Sequence, residues 1–176
     1  MKKAIILIVI FGALFLFGAT FVRAFFYAPE SEISVPSVAQ AVPADDVGMG
    51  ELPSRLIIPS LQVDADVQHV GIGKSGNMAV PSNYSDVGWY RYGTVPGYLG
   101  SAVMDGHVDN AVGLPGVFKD LVKLKPGDDV YVETAGGKRH HYVVTAVKTY
   151  DYKKVPVDVV FNAADAGRLN LITCAG

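Results

Sequence analysis

The feature that most constrains this chain is its punctuation. From about residue 54 onward, glycine or proline interrupts the sequence at intervals of roughly ten residues, too short for long helices and right for short strands. The nineteen Gly and ten Pro of the 176-residue chain supply these breaks. Between them lie short apolar or alternating runs. Arg55-Leu56-Ile57-Ile58-Pro59 is one. Residues 62–70 follow, with Val63, Ala65 and Val67 alternating against Gln62, Asp64, Asp66 and Gln68. Residues 78–81 form another extended piece, and Ser82 is placed to cap one helical turn ending at Gly88. Trp89-Tyr90-Arg91-Tyr92 and residues 101–105 are further apolar segments. Residues 129–134 and 138–147 read as a hairpin across Ala135-Gly136-Gly137, with Val130 and Val132 on one face and Tyr131 and Glu133 on the other. Residues 117–122 are the best short helix, residues 158–167 a turn or short helix, and residues 168–174 a last strand. Seven or eight short strands without interleaved long helices predict an all-β barrel or sandwich, not a parallel α/β sheet. No internal repeat is present.

The N-terminal part has a different character. Residues 4–22 carry no charge, and at 1.5 Å per residue they match a hydrocarbon core of about 30 Å. Lys2 and Lys3 precede them. Arg23 follows and weakens the charge bias, then come Phe25, Phe26, Tyr27, Glu30 and Glu32. The flanks place the N-terminus in the cytoplasm and the rest outside. A cleaved signal peptide is the competing reading, but its apolar run is shorter and needs a small-x-small site, which Phe26-Tyr27-Ala28 lacks. Residues 1–27 are therefore expected to be a transmembrane anchor with its flanks. Residues 28–53, punctuated by Pro29, Pro36, Pro43 and Pro53, are expected to be an extended extracytoplasmic linker. Residues 54–176 are the folded domain.

Composition excludes several classes of function. The net charge of −2 and the lack of a basic stripe argue against nucleic acid. One cysteine excludes an intrachain disulfide and leaves no pair for a zinc site, and no His pair has the spacing of a helical metal motif. No metal or other cofactor is expected. A Ser-His-Asp triad lacks a nucleophile-elbow serine.

What remains is a thiol and an imidazole. Leu169-Asn170-Leu171-Ile172-Thr173-Cys174 is an apolar strand ending in the only cysteine, followed by the small residues Ala175 and Gly176. Residues 101–105 are an apolar strand leading through Gly106 to His107, with Asp105 and Asp109 flanking the ring and placed to orient it or raise its pKa. Thr173 presents its backbone beside any oxyanion developing at Cys174. An isolated Cys and His are a weak signal, since a buried structural cysteine is the commoner case. His69 lies in an alternating strand, and His140 and His141 follow Lys138-Arg139 on what reads as a solvated edge.

In combination the segments resemble a known family, the sortases, membrane-anchored cysteine transpeptidases of bacterial surfaces. The resemblance rests on Arg55-Leu56-Ile57-Ile58-Pro59, Val87-Gly88-Trp89-Tyr90, residues 100–109 with their Gly-His-Val-Asp core, Leu124-Lys125-Pro126-Gly127-Asp128 and Leu171-Ile172-Thr173-Cys174, in the family's order. The Gly-Trp-Tyr element is most similar to class E or related subgroups. The resemblance implies a closed barrel of about eight strands with short helices, behind one N-terminal transmembrane helix. It implies that Cys174 attacks the Thr–Gly carbonyl of an LPxTG-type sorting signal and that His107 is the general acid and then base. Thr173 and Asp109 would support them. The implied partners are the sorting-signal peptide of a surface protein and an amine of a cell-wall precursor or pilin. The family's oxyanion arginine and last strand follow the cysteine, whereas this sequence stops two residues after it. Both are therefore expected to be missing here, as in a truncated reading of a longer gene. Arg168 shares a strand face with Cys174 but lies six residues away, roughly 20 Å along an extended strand. Arg91 and Arg139 are not excluded. The alternative reading is a membrane-tethered, non-catalytic β-barrel module that binds a surface peptide.

Overall fold

The computed structural model describes residues 44–109 and 113–174. The expected membrane span and the first part of the linker lie outside the described residues. Among those residues no helix is long and apolar enough to cross a membrane.

Seven strands form one curled sheet: β1 (Pro53–Ile58), β2 (Val63–Val70), β3 (Val87–Tyr90), β4 (Gly100–Asp105), β5 (Asp129–Thr134), β6 (Arg139–Val143) and β7 (Gly167–Ile172). Their order in space is β6-β5-β1-β2-β3-β4-β7, so β6 and β7 are its edges. Most neighbours are antiparallel, but β2 pairs with β3 and β4 with β7 in parallel. The sheet is the expected barrel-like wall, lacking among the described residues a strand that joins β6 to β7.

The alternation of side chains sorts the strands into two faces. Leu56, Ile58, Ala65, Val87, Trp89, Met104, Val130 and Val132 point inward and pack with Phe118, Leu121 and Leu124. Each large apolar side chain removed from water contributes about 1.5–3 kcal/mol. On the outer face a second cluster joins Val70, Met78, Tyr90 and Val103 to Phe161. Phe161 belongs to α1 (Val157–Phe161), the one α-helix among the described residues. Because β4 is covered on both faces, all six of its residues are buried, the apolar Ala102-Val103-Met104 together with the polar Ser101 and Asp105.

Several expectations are corrected. Residues 117–122 are not a helix: they are a turn leading into a 3-10 segment, Leu121–Lys123. The Val117 N–H donates to the Tyr84 carbonyl and the Phe118 N–H to the His107 carbonyl, at 2.8 and 2.9 Å, and the later amides close three-residue turns, Lys119 onto Gly116 and Leu121 onto Phe118. Residues 82–86 form no helical turn either; the Asn83 side chain accepts from the backbone of Ser85 and Asp86. The second hairpin arm ends at Val143 rather than 147, with β5 beginning at Asp129 and Val144 bonding only to the Gly127-Asp128 turn that precedes it. The ordered domain also takes in residues that composition assigned to the linker. Leu52 is 5% exposed in the core, and Ala44 and Val47 pack against the same cluster.

Candidate active site

Two parallel strands bring the candidate residues together. β4 and β7 run in one direction with Val103 opposite Asn170 and Asp105 opposite Ile172. The ladder continues one step further, with the Gly106 N–H donating to the Ile172 carbonyl at 3.2 Å. His107 and Cys174 each follow two residues beyond the last pair of this register. Both strands end at the same rim of the sheet.

Gly106 is needed for close packing. Its φ is not positive. Instead, a Cβ there would lie 2.6 Å from Val117 Cγ1 and 2.7 Å from Phe118 Cδ2. The absence of a side chain lets the segment at residues 117–118 press against the end of β4 and hold the His107 carbonyl.

The imidazole is half-buried. Its Nε2 lies 3.4 Å from the Pro81 carbonyl, and its ring centroid is 4.7 Å from that of Tyr84. A carbonyl only accepts, so Nε2 carries the proton in this contact and Nδ1 holds the lone pair. Burial lowers the pKa of His107, while the Pro81 carbonyl and the charge of Asp109 raise it to a smaller extent. The net effect favours a neutral ring, able to take a proton.

Cys174 is exposed and not in a disulfide. Its neighbour Thr173 does more than offer a backbone: the Oγ1 hydroxyl donates to the Gly106 carbonyl at 2.7 Å. This bond ties the end of the cysteine strand to the residue preceding His107. Asp109 is exposed at the rim and acts on His107 by its charge. Asp105 does not orient the ring as its proximity in sequence suggests. Its side chain turns toward β3, is 6% exposed, and leaves Oδ1 without a hydrogen-bond partner. Burial pushes its pKa up to about 8, partly offset by its own backbone amide.

The four described arginines are committed to carboxylates: Arg55 to Asp64, Arg91 to Asp45, Arg139 to Glu133 and Arg168 to Asp165. Arg168 stands opposite Ser101 near the far end of β7. The other histidines also have separate positions. His69 Nε2 is 2.7 Å from the Pro53 carbonyl with its ring edge-on to Trp89, and His141 stacks on Tyr131 and meets Asp129 at 2.7 Å. His140 packs over Gly97. The sequence reading missed Pro81 and Tyr84, which wall the imidazole from a distant loop. No local motif announces them; only the unusual Gly-Val-Phe after Leu114-Pro115 hints that something must pack against Gly106.

Comparison with known proteins defines the class. A family model described as the sortase domain matches residues 56–176. The chain belongs to the sortase family. Among solved structures it is similar to sortase A of Listeria monocytogenes, with 27% identity, a TM-score of 0.54, and coverage of 72% of this chain and 77% of that one. It is similar to sortase A of Corynebacterium diphtheriae at 21% identity and TM-score 0.54, covering 71% of this chain and 54% of that one. Sortase C1 of Streptococcus agalactiae matches at 21% identity and TM-score 0.55, covering 90% and 77%. The chain thus spans only about half the length of the diphtherial structure. A search of curated proteins finds no match.

Proposed function

We propose that this chain is the core of a cysteine transpeptidase that cleaves an LPxTG-type sorting signal between Thr and Gly and transfers the acyl group to a cell-wall or pilin amine. The observation that supports this reading is the parallel β4–β7 register, whose last pair, Asp105 and Ile172, stands two residues before His107 and Cys174. Cys174 Sγ attacks the threonine carbonyl carbon, and its proton passes to the neutral His107. The C–N bond to glycine breaks, and His107 gives that proton to the leaving amine. The resulting thioester is attacked by the incoming amine, whose proton His107 removes, and Cys174 is regenerated as the thiol. Thr173 keeps the two strand ends in register, and Asp109 supports the imidazolium as it forms. The reading extends to location: residues 4–22 anchor the chain in the cell membrane, with the N-terminus cytoplasmic and the domain outside.

The test is mass spectrometry of the protein incubated with an LPxTG peptide, with and without hydroxylamine. An acyl adduct on Cys174 that hydroxylamine releases, absent in Cys174→Ala, is the expected result. Peptide bound without any adduct would instead favour a non-catalytic module, and cleavage that survives Cys174→Ala would remove the thiol from the mechanism.

A further inference from the structure

Asp105 is a buried carboxyl at the end of β4, two residues before His107, and its Oδ1 has no hydrogen-bond partner. Its neighbours are apolar or lack a side chain. β3 presents Gly88 in register, β7 presents Ile172, β2 contributes Val70, and the loop between β2 and β3 contributes Pro81. A Cβ at Gly88 would lie 2.5 Å from Asp105 Oδ1 and 3.1 Å from both Pro81 Cδ and Val70 Cγ1. All three side chains therefore share the space that Gly88 leaves open. Tyr90, two residues along β3, is a phenol whose pKa burial raises further, and no charged group contributes to the field at Asp105. A buried carboxyl oxygen without a hydrogen-bond partner, as Asp105 Oδ1 is, costs on the order of 1–3 kcal/mol in desolvation. An apolar residue would fill this place more favourably for the fold, so the cost has to be met by something the carboxyl binds.

We propose that Asp105 is a substrate-binding residue of the peptide groove, its carboxyl pairing with the backbone N–H and C=O that one residue of the extended acyl donor presents to the same side. This rests on the transpeptidase reading and names a contact within that site. A neutral carboxyl offers one acceptor oxygen and one O–H donor side by side, which matches the N–H and C=O presented by a peptide backbone. The orphan Oδ1 accepts the N–H, and the other oxygen donates to a carbonyl. The spacing fits: two residues of strand cover about 6.6 Å, the repeat of an extended peptide. A substrate with its reacting carbonyl at Cys174 lays an amide two residues away over Asp105. Pro81 must move aside for this contact, and the same loop holds His107 Nε2 through the Pro81 carbonyl at 3.4 Å, the long limit of a hydrogen bond. Seating the peptide on Asp105 thus releases the imidazole from its resting partner.

The experiment measures binding apart from chemistry. The full chain in detergent carries Cys174→Ala, and a panel of fluorescent LPxTG peptides varied at x is titrated by anisotropy between pH 6 and 9.5. Asp105→Val is expected to weaken binding about tenfold at pH 7 while melting no lower than its parent, which separates lost recognition from lost fold. Asp105→Asn, which keeps an acceptor and a donor, is expected to bind within about threefold of the parent. The parent's affinity falls above pH 8 as the carboxyl ionises, and that fall is absent in Asp105→Asn. Unchanged affinity in Asp105→Val, an alkaline loss that persists in Asp105→Asn, or no saturable binding by the parent each overturns the proposal. The transpeptidase reading fails separately, when peptide binds this way but the cysteine-bearing protein forms no adduct.

Discussion

Gly106→Ala is the smallest change that tests how the site is held. The added methyl carbon would sit 2.6 Å from Val117 Cγ1, 2.7 Å from Phe118 Cδ2 and 3.0 Å from Phe118 Cε2. Carbon atoms are at rest about 3.5–4.0 Å apart, so the neighbours must retreat by about 1 Å. Phe118 is 1% exposed and packed in the main core, and it has no open side to move into. Overpacking of this kind costs about 1–3 kcal/mol. For a chain of this size that lowers the melting temperature by about 2–12 °C. The catalytic consequence is larger. The Phe118 N–H holds the His107 carbonyl at 2.9 Å, so a displaced Phe118 displaces His107. A 1 Å misplacement of a reacting group can cost about 100-fold in rate. Thermal melting with thiol-dependent cleavage of a quenched LPxTG peptide measures both effects. A variant that melts within a degree of the parent and cleaves at the parent's rate would show that the 117–118 segment does not brace the histidine.

Thr173→Val removes the hydroxyl that donates to the Gly106 carbonyl while keeping the shape of the side chain. We expect it to lose about 1–3 kcal/mol in urea unfolding and to lower kcat more than it raises KM, whereas Thr173→Ser retains both; equal stability of all three proteins would discount the clamp. The pH profile gives another check. Burial lowers the His107 pKa, so the ring stays neutral to more acidic pH and the acid limb of kcat/KM should have its midpoint below the ordinary 6.5. Asp109→Asn removes a charge that raises this pKa and should move the limb lower still. A midpoint at or above 6.5, or a shift upward in Asp109→Asn, contradicts that account.

The split between what was legible and what was not follows the range of the interactions. Strand positions and the all-β class were readable because side-chain alternation and turn residues act over a few neighbours. Val130 and Val132 alternate with Tyr131 and Glu133 in the sequence, and they face inward and outward in the fold. In place of the apparent helix at residues 117–122 are short turns, whose first amides go to Tyr84 and His107, partners that no local window contains. The same holds for the site. The sequence by itself determined that Cys174 and His107 each follow a strand, although β7 stops at Ile172 and β4 at Asp105, two residues before them. Only the tertiary structure decided that those strands lie parallel in register, that Pro81 and Tyr84 wall the imidazole, and that Asp105 faces the gap over Gly88 instead of the ring. Each of those outcomes depends on which strands pair, and strand pairing is set by core packing across the whole sheet, not by the residues at the strand ends.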